Sequence, residues 1–376
     1  MKLIKEVCEP CSKTINIGQP ILECETCHNM IHHKCYKTAG FCSVDNGWVC
    51  KNCSLNIIPR YNPFKLLLNN DTDKFYDDEF AGEEERLSKI SLTLEKCRSY
   101  KTFDLNQAIT ELLSPNEPHP NVTKPPKKAS TSFQFSVYFM NIDGNTSNFD
   151  SLLVELQRLE HKFSIIALAE TNVDQPLQKL YQIPGYNSFY QSTMLNKAKG
   201  TGVALYVMDS LNAEVIESLG GCSPDMESLF VKITVPSSPQ QLTCGVIYRP
   251  PSGNFQTFLS KFDHLNTLLP KSGVRLIGDF NADLLKIGES TGNINYSQFE
   301  ESFIKAGLTP VISIPTHKRA NCRPTCIDNI FTNDPDSVLM SGTIEDQTSD
   351  HLPIFEITNL KFETENKHEK HVKLYE

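Results

Sequence analysis

From residue 133 onward the chain alternates short apolar runs with polar borders, and the borders hold the residue types that metal and phosphate chemistry use. These are Asn141 and Asp143, Glu170, Tyr248, Asp279 and Asn281, Asp328, and the adjacent pair Asp350 and His351. The runs FSIIALA (163–169), GVALYVM (202–208), LFVKITV (229–235), LTCGVI (242–247), VRLIG (274–278), IDNIFT (327–332) and LPIFEI (352–357) are each the length of one strand. FQFSVYFM (133–140) alternates with period two. Leu152, Leu156 and Leu159 repeat with helical spacing behind Asn148, a residue suited to capping, and further helical stretches cover 254–269 and 297–306. Many strands with few helices between them predict two packed sheets flanked by helices. Strand ends that converge on one rim give a rigid place to assemble a site.

Each border residue also has a local reading. Asp-x-Asn after a strand is commonly a turn, because both side chains satisfy nearby backbone groups. Glu170-Thr171-Asn172 would serve as a helix entry, and Tyr248 as an ordinary strand end. The combination and its order point to metal-assisted phosphodiester cleavage, which needs carboxylates, an amide and an imidazole together.

The chain has 13 cysteines, and eight fall before residue 54. That clustering speaks for metal ligation, not a disulfide scaffold. Cys8 and Cys11, Cys24 and Cys27, His32 and Cys35, and Cys50 and Cys53 form four pairs with two-residue gaps. Four such pairs complete two closed structural Zn2+ sites, and metal binding would supply about 10 kcal/mol of folding energy per site. With histidine as fifth ligand and Trp48 just before Cys50, the segment resembles a PHD finger. The resemblance implies interleaved ligation, with Cys8, Cys11, His32 and Cys35 on one zinc and Cys24, Cys27, Cys50 and Cys53 on the other. It also implies a histone tail or another chromatin protein as partner. Met30 stands where such fingers usually place a cage aromatic, and 12–23 holds no aromatic residue, so a methyl-lysine cage is not expected. A finger that only folds, or contacts its own chain, is the competing reading.

Residues 59–132 read as a connector. An amphipathic helix is predicted over 83–99, a shorter one over 104–113, and a Pro-rich polar linker follows. Lys124 to Lys128 reads either as a nuclear import signal or as a solvated basic linker. The start lacks the apolar stretch of a secretory signal and no apolar run is long enough for a bilayer, so the expectation is a soluble, intracellular, nuclear protein without membrane contact. Residues 133–360 carry 15 Lys/Arg against 24 Asp/Glu, which matches the whole net charge of −9. Intrinsic DNA affinity should be weak, since non-specific binding comes from neutralised phosphates.

Specific stretches of this domain resemble the endonuclease/exonuclease/phosphatase superfamily, in particular the apurinic-type endonuclease of non-LTR retrotransposons. They are Asn141-Ile-Asp143-Gly144, Ala169-Glu170-Thr171-Asn172, Ile247-Tyr248-Arg249-Pro250-Pro251, Gly278-Asp279-Phe280-Asn281, Pro315-Thr316, Ile327-Asp328-Asn329-Ile330-Phe331 and Ser349-Asp350-His351. The resemblance implies a two-sheet, four-layered α/β sandwich preceded by the finger. It implies Mg2+ (or Mn2+) held chiefly by Glu170, with Asp143, Asp350 and Asn141 completing or orienting the site. Asp279 would position or deprotonate the attacking water, aided by Asn281. His351, oriented by Asp328, and Tyr248 would contact the phosphate. Arg249, Thr316, Arg319 and Arg323 would contact substrate, although His317 replaces the arginine usual after Pro-Thr. No small-molecule organic cofactor is implied.

The leading expectation is therefore domains of 1–58 (finger), 59–132 (connector), 133–360 (nuclease) and a charged tail of 361–376. The product would nick DNA, without a following reverse transcriptase to copy into the nick. Competing expectations are an abasic-site nuclease, deadenylase or inositol-phosphate phosphatase on the same chemistry, and a non-catalytic chromatin adaptor. Deleting residues 1–58 should leave nicking of naked plasmid intact while altering where cleavage falls. Loss of all cleavage on that deletion would overturn the modular reading.

Overall fold

The computed structural model describes residues 7–8, 13–14, 21–23, 30–32, 42–44, 47–49, 92–114, 131–144, 146–173, 175–191, 201–234, 241–287, 295–319, 322–345 and 350–364. The chain divides into two compact units, Met1–Lys65 and Leu66–Glu376. In the first, Val7–Cys8 pairs with Lys13–Thr14, Ile21–Glu23 with Met30–His32, and Cys42–Val44 with Gly47–Val49, all antiparallel. The zinc-ligand side chains expected there lie outside the described residues. So do Lys124 to Lys128, Ser349 and the tail beyond residue 364.

The second unit holds two sheets. Its strands are β1 Cys97–Tyr100, β2 Thr131–Asn141, β3 Ile165–Ala169, β4 Tyr186–Gln191, β5 Val203–Met208, β6 Asn212–Val215, β7 Gly221–Ser223, β8 Met226–Thr234, β9 Gln241–Tyr248, β10 Val274–Asp279, β11 Thr309–Pro310, β12 Asp328–Thr332, β13 Val338–Ile344 and β14 Ile354–Thr364. The first sheet runs β4-β5-β3-β2-β14-β13-β1 and the second β6-β8-β9-β10-β12-β11, with β7 on the edge of β8. The central pairs β2/β3 and β9/β10 are parallel. Parallel neighbours are buried on both faces, which explains why IIALA and VRLIG read as continuous apolar runs. Every residue of β3 and β10 is buried.

The helices are α1 Thr102–Leu113, α2 Thr146–Arg158, α3 Phe255–Leu268 and α4 Tyr296–Lys305. Leu105 and Ile109 of α1 and Phe149 and Leu152 of α2 cluster with Tyr138, Met140, Ile166, Leu168, Phe355 and Ile357 of the first sheet. On the other side, Phe258 and Phe262 of α3 and Phe299 and Phe303 of α4 meet Phe280 and Phe331 through ring contacts of 5.0–6.2 Å. The architecture is thus helices, sheet, sheet, helices: a two-sheet α/β sandwich. No helix among the described residues is long and apolar enough to cross a membrane.

Two local expectations are corrected. Residues 97–99, predicted as the end of a helix, fall in edge strand β1, parallel to β13, and the helical turn stops at Glu95. Cys97 is buried against the sheet, so tertiary pairing overrides the local helical spacing. Asn148 lies inside α2, and its amide donates to the Ile142 carbonyl (2.9 Å) instead of capping the helix.

An ion pair joins the sheets away from the rim. Arg275 of β10 and Glu356 of β14 are both fully buried, with Nε 2.8 Å from Oε2. The guanidinium also donates to Ser337 Oγ (2.6 Å), the Val274 carbonyl (3.0 Å) and Thr332 Oγ1. Removing one partner of a buried pair costs about 3–5 kcal/mol, because the other charge is left unpaired. Arg275→Met should lower stability by about that amount in urea unfolding followed by circular dichroism, and Arg275→Met with Glu356→Leu should recover most of it. Equal stability of the single variant and the parent would show that the pair is not buried.

Candidate active site

Register places the site. In the second sheet Glu227, Tyr248, Asp279 and Asp328 are successive partners across β8, β9, β10 and β12. Residues in one register row project to the same face. This row is buried, each member being at most 1% exposed. The neighbouring row explains one glycine: a Cβ on Gly278 would lie 1.8 Å from the Ile247 carbonyl oxygen, so only glycine lets β9 and β10 pair just before Asp279.

The first sheet answers this row with Asn141, at the end of β2, and Glu170, just after β3. Asn141 Nδ2 donates to Glu170 Oε1 (2.8 Å) and to Asp279 Oδ2 (3.0 Å). Tyr248 donates its hydroxyl to the same Glu170 Oε1 (3.0 Å). Glu227 Oε2 accepts the backbone N–H of Gly202 (2.6 Å), which precedes β5. The Asn141–Glu170 bond lies within the first sheet, and the other three pass from one sheet to the other. Both hydrogen bonds to Glu170 fall on Oε1, and Oε2 is the oxygen a hard dication would take. Mg2+ needs only one or two carboxylates and keeps several waters. The donor set therefore fits such an ion.

The backbone at these strand ends is unusual. Asp143, Glu170, Asn172 and Asn281 have φ between 46° and 54°, and they are all the non-glycine residues with positive φ among the described residues. For Glu170 this costs about 1–2 kcal/mol. The corner is held by Thr171 N–H to the Gly202 carbonyl (3.1 Å) and Asn172 N–H to the Thr201 carbonyl (2.8 Å). Asn141 Oδ1 accepts the Asp143 N–H (3.1 Å), and Asp279 Oδ1 accepts the Asn281 N–H (2.8 Å). The two turns have the same form, one on each sheet.

His351 closes the rim. Its Nδ1 lies 3.1 Å from Asp328 Oδ2, and the other oxygen is at 3.3 Å. Thr316 is fully buried and donates its hydroxyl to Asp328 Oδ2 (2.7 Å). Burial alone would lower the His351 pKa, but Asp328, Asp279 and Asp350 raise it to about 9. Burial and the Asp328 carboxylate push Asp279 up to about 8, opposed by His351, the Asn281 N–H and Asn141. Burial, then Glu170 and Asp279, raise the Tyr248 phenol, which stays a donor. Burial pushes Glu227 up to about 7, with the Gly202 N–H opposing and Glu170 adding to it.

The structure brings together Asn141, Glu170, Tyr248, Asp279, Asn281, Asp328 and His351. It does not gather Glu170, Asp143 and Asp350 as one ligand cluster: among the described residues the His/Cys/Asp/Glu clusters are Asp279, Asp328 and His351, and His317, Asp350 and His351. Asp143 is exposed. Asp350 pairs with Arg319 (Nε to Oδ2, 3.0 Å) and lies 3.5 Å from His317 Nε2. Two residues expected to contact substrate have partners within the protein. Arg249 is 4% exposed, and it donates to the carbonyls of Phe280 (2.7 Å) and Asn281 (2.7 Å), so it braces the Asp279 turn. Thr316 spends its hydroxyl on Asp328. Arg319 and Arg323 are exposed, as a substrate contact requires. Glu227 was missed by sequence reasoning. Its signal was an acid at the start of an otherwise apolar strand, two positions before the run LFVKITV.

Comparison with known proteins adds to this geometry. A family model described as endonuclease-reverse transcriptase matches residues 242–355. The matched span includes Tyr248, Asp279, Asn281, Asp328, Asp350 and His351, and leaves out Asn141, Asp143 and Glu170. A search of the curated proteins finds no match. Among solved structures, the endonuclease domain of TRAS1, a telomere-specific non-LTR retrotransposon, shares 16% identity at a TM-score of 0.49, over 60% of this chain and 98% of that one. The AP endonuclease LMAP from Leishmania major shares 13% identity at a TM-score of 0.48, over 60% of this chain and 87% of that one. The catalytic domain of Xenopus laevis APE2 shares 18% identity at a TM-score of 0.43, over 62% of this chain and 94% of that one. Residues 242–355 thus match a family model described as endonuclease-reverse transcriptase, within a chain segment that folds as a two-sheet α/β sandwich.

Proposed function

We propose that this chain is a divalent-metal-dependent DNA endonuclease that hydrolyses a phosphodiester bond and leaves a nick. The observation that carries the reading is Asn141, whose amide joins Glu170 to Asp279 while the Asp328–His351 pair stands beside Asp279. The family match over 242–355 favours DNA over the other substrates of such chemistry.

In this reading Glu170 holds the metal, Mg2+ or Mn2+, which when bound neutralises charge on the phosphate and leaving oxygen. Asp279 takes the proton of the attacking water, directly or through one further water. Its raised pKa makes it a stronger base than an ordinary carboxylate. Asn141 and the Asn281 N–H fix both of its oxygens. His351 is held charged by Asp328 and donates to a phosphate oxygen, while the protonated Tyr248 donates to Glu170 Oε1 and orients that carboxylate. Arg319 and Arg323 contact the DNA backbone. Residues 1–58 would hold two structural zinc ions and contact chromatin or another protein in the nucleus.

The test is supercoiled-plasmid nicking in Mg2+, run beside abasic duplex, poly(A) and phosphoinositides. Glu170→Ala and His351→Ala should each lower plasmid nicking by about 10²–10⁴-fold. Equal nicking by the parent and both variants would defeat the assignment, and preference for another substrate would move it within the same chemistry. Catalysis needs Asp279 deprotonated and His351 protonated. The rate should therefore climb as pH rises through about 8 and decline above about 9. Asp328→Asn removes the charge that raises both groups, so both limbs should move to lower pH. An unmoved alkaline limb in that variant would exclude His351 as the acid group.

A further inference from the structure

The second ligand cluster shares His351 with the proposed catalytic row, while its other members, His317 and Asp350, are given no role in the reaction proposed above. His317, Asp350 and His351 each offer one ligand atom within 4.8 Å of the other two. The backbone places them. His317 and His351 are partners in an isolated antiparallel bridge, and residues opposed in this way have Cβ atoms about 4.5–5.5 Å apart on one face. The bridge is pinned on both sides, by Lys318 N–H to the Asp350 carbonyl (2.7 Å) and Leu352 N–H to the Thr316 carbonyl (2.7 Å). The two imidazole centroids are 4.6 Å apart.

Each ring is also oriented from behind. His351 meets Asp328 through Nδ1, and His317 meets Thr325 Oγ1 through Nδ1 at 3.4 Å. In both rings Nε2 is therefore the nitrogen that would coordinate. The Asp328 carboxylate on Nδ1 fixes the His351 tautomer and strengthens its Nε2 as a metal ligand, while the Thr325 hydroxyl orients the His317 ring. His317 Nε2 lies 3.5 Å from Asp350 Oδ2. Ligands about 2.0–2.2 Å from a tetrahedral ion are separated by about 3.3–3.5 Å, so this pair already spans one edge of such a site. The side chains are 16%, 40% and 14% exposed for His317, Asp350 and His351, half-sunk but reachable.

We propose that His317, Asp350 and His351 bind a borderline transition-metal dication of the zinc type, as an open site whose fourth position is left to solvent or phosphate. Two nitrogens and one oxygen suit Zn2+ and its neighbours, whereas Mg2+ prefers oxygen ligands. This site is distinct from Glu170. The Arg319–Asp350 pair competes for the carboxylate, but Arg319 is 67% exposed, and a surface ion pair is worth little against a dication. The other cluster, Asp279, Asp328 and His351, is buried around an internal ion pair and is not a rival. Occupancy would release the Nε2 proton of His351 to solvent and draw His351 and Arg319 away from substrate. If the nuclease reading holds, Zn2+ therefore inhibits nicking in the presence of Mg2+.

The full chain is equilibrated with micromolar free Zn2+ and its bound zinc is counted beside that of His317→Ala and His317→Gln. The parent should hold one equivalent more than either variant, with zinc on the finger cysteines common to all three. In the intact parent, proton–nitrogen spectra of the histidine rings should show His317 and His351 Nε2 shifting together as that equivalent binds. Equal zinc content in all three, or His317 and His351 resonances that stay put at saturating Zn2+, overturns the site. The spectra decide the matter even where a variant misfolds. A parent that nicks nothing in any metal defeats the nuclease reading while both binding measurements still stand. With nicking present, Zn2+ inhibition should be relieved at least tenfold in His317→Gln.

Discussion

Three acids and a tyrosine share one register row on a buried sheet face, and the rest of the site follows from the need to satisfy them. Glu227, Tyr248, Asp279 and Asp328 are each at most 1% exposed. An ionised carboxylate without partners cannot be kept in such a place. Every member of the row is met from outside its own sheet or by the closing loop: Glu227 by the Gly202 N–H, Tyr248 by Glu170, Asp279 by Asn141, Asp328 by His351 and Thr316. The site is therefore also the seam where the two sheets lock. With the Arg275–Glu356 pair elsewhere on the same interface, polar groups enter between the sheets where the opposite layer completes them. Substitutions at this rim should be read as changes in both chemistry and packing.

The turns at the strand ends show why a local reading and a functional one need not compete. Asn141-x-Asp143 ends β2 and Asp279-x-Asn281 ends β10, and each closes with a side-chain oxygen accepting an N–H two residues on. Each third residue has positive φ, which Asn and Asp tolerate best. The turn fixes the first residue's free oxygen or amide with its own backbone, and in doing so aims it across the seam. Glu170 is different, because glutamate has no such tolerance. Its left-handed conformation is strain retained where surrounding bonds over-determine it, a pattern found at functional sites.

Much of this was legible in sequence because strand ends are local. Apolar runs located β2, β3, β5, β8, β9, β10 and β12 to within a few residues and found the start of β14 though not its end, and polar borders marked the rim. Edge strands were not legible. β4 (YNSFYQ) is half-exposed throughout and lacks a clean alternation, and the next-to-edge β13 (VLMSGTI) was hidden too, because it mixes small polar residues into its run. β1 looked helical because its only strand signal is the partner it finds in β13. Burial of individual charges was equally hidden. Arg249 and Thr316 looked like substrate contacts, yet the carbonyls and carboxylate that claim them come from β10's turn and from Asp328. Glu227 escaped because its partner row is defined by register, which a single sequence does not state.

The same limit explains the imidazole pair. His317 and His351 are 34 positions apart and neither has a motif that names the other. Only the bridge that closes the Thr316 loop onto the start of β14 brings them together. The outcome is a rim with two chemical ends. Around Glu170 the available atoms are oxygens and their hydrogen-bond donors, a setting for a hard, hydrated cation. Around Asp350 two ring nitrogens stand beside one carboxylate, a setting for a softer one. His351 belongs to the catalytic row through Nδ1 and to the outer cluster through the rest of its ring. A cation held at the outer cluster would thus displace the proton that Asp328 otherwise keeps on this imidazole, and the acidic domain would be sensitive to which dication occupies it.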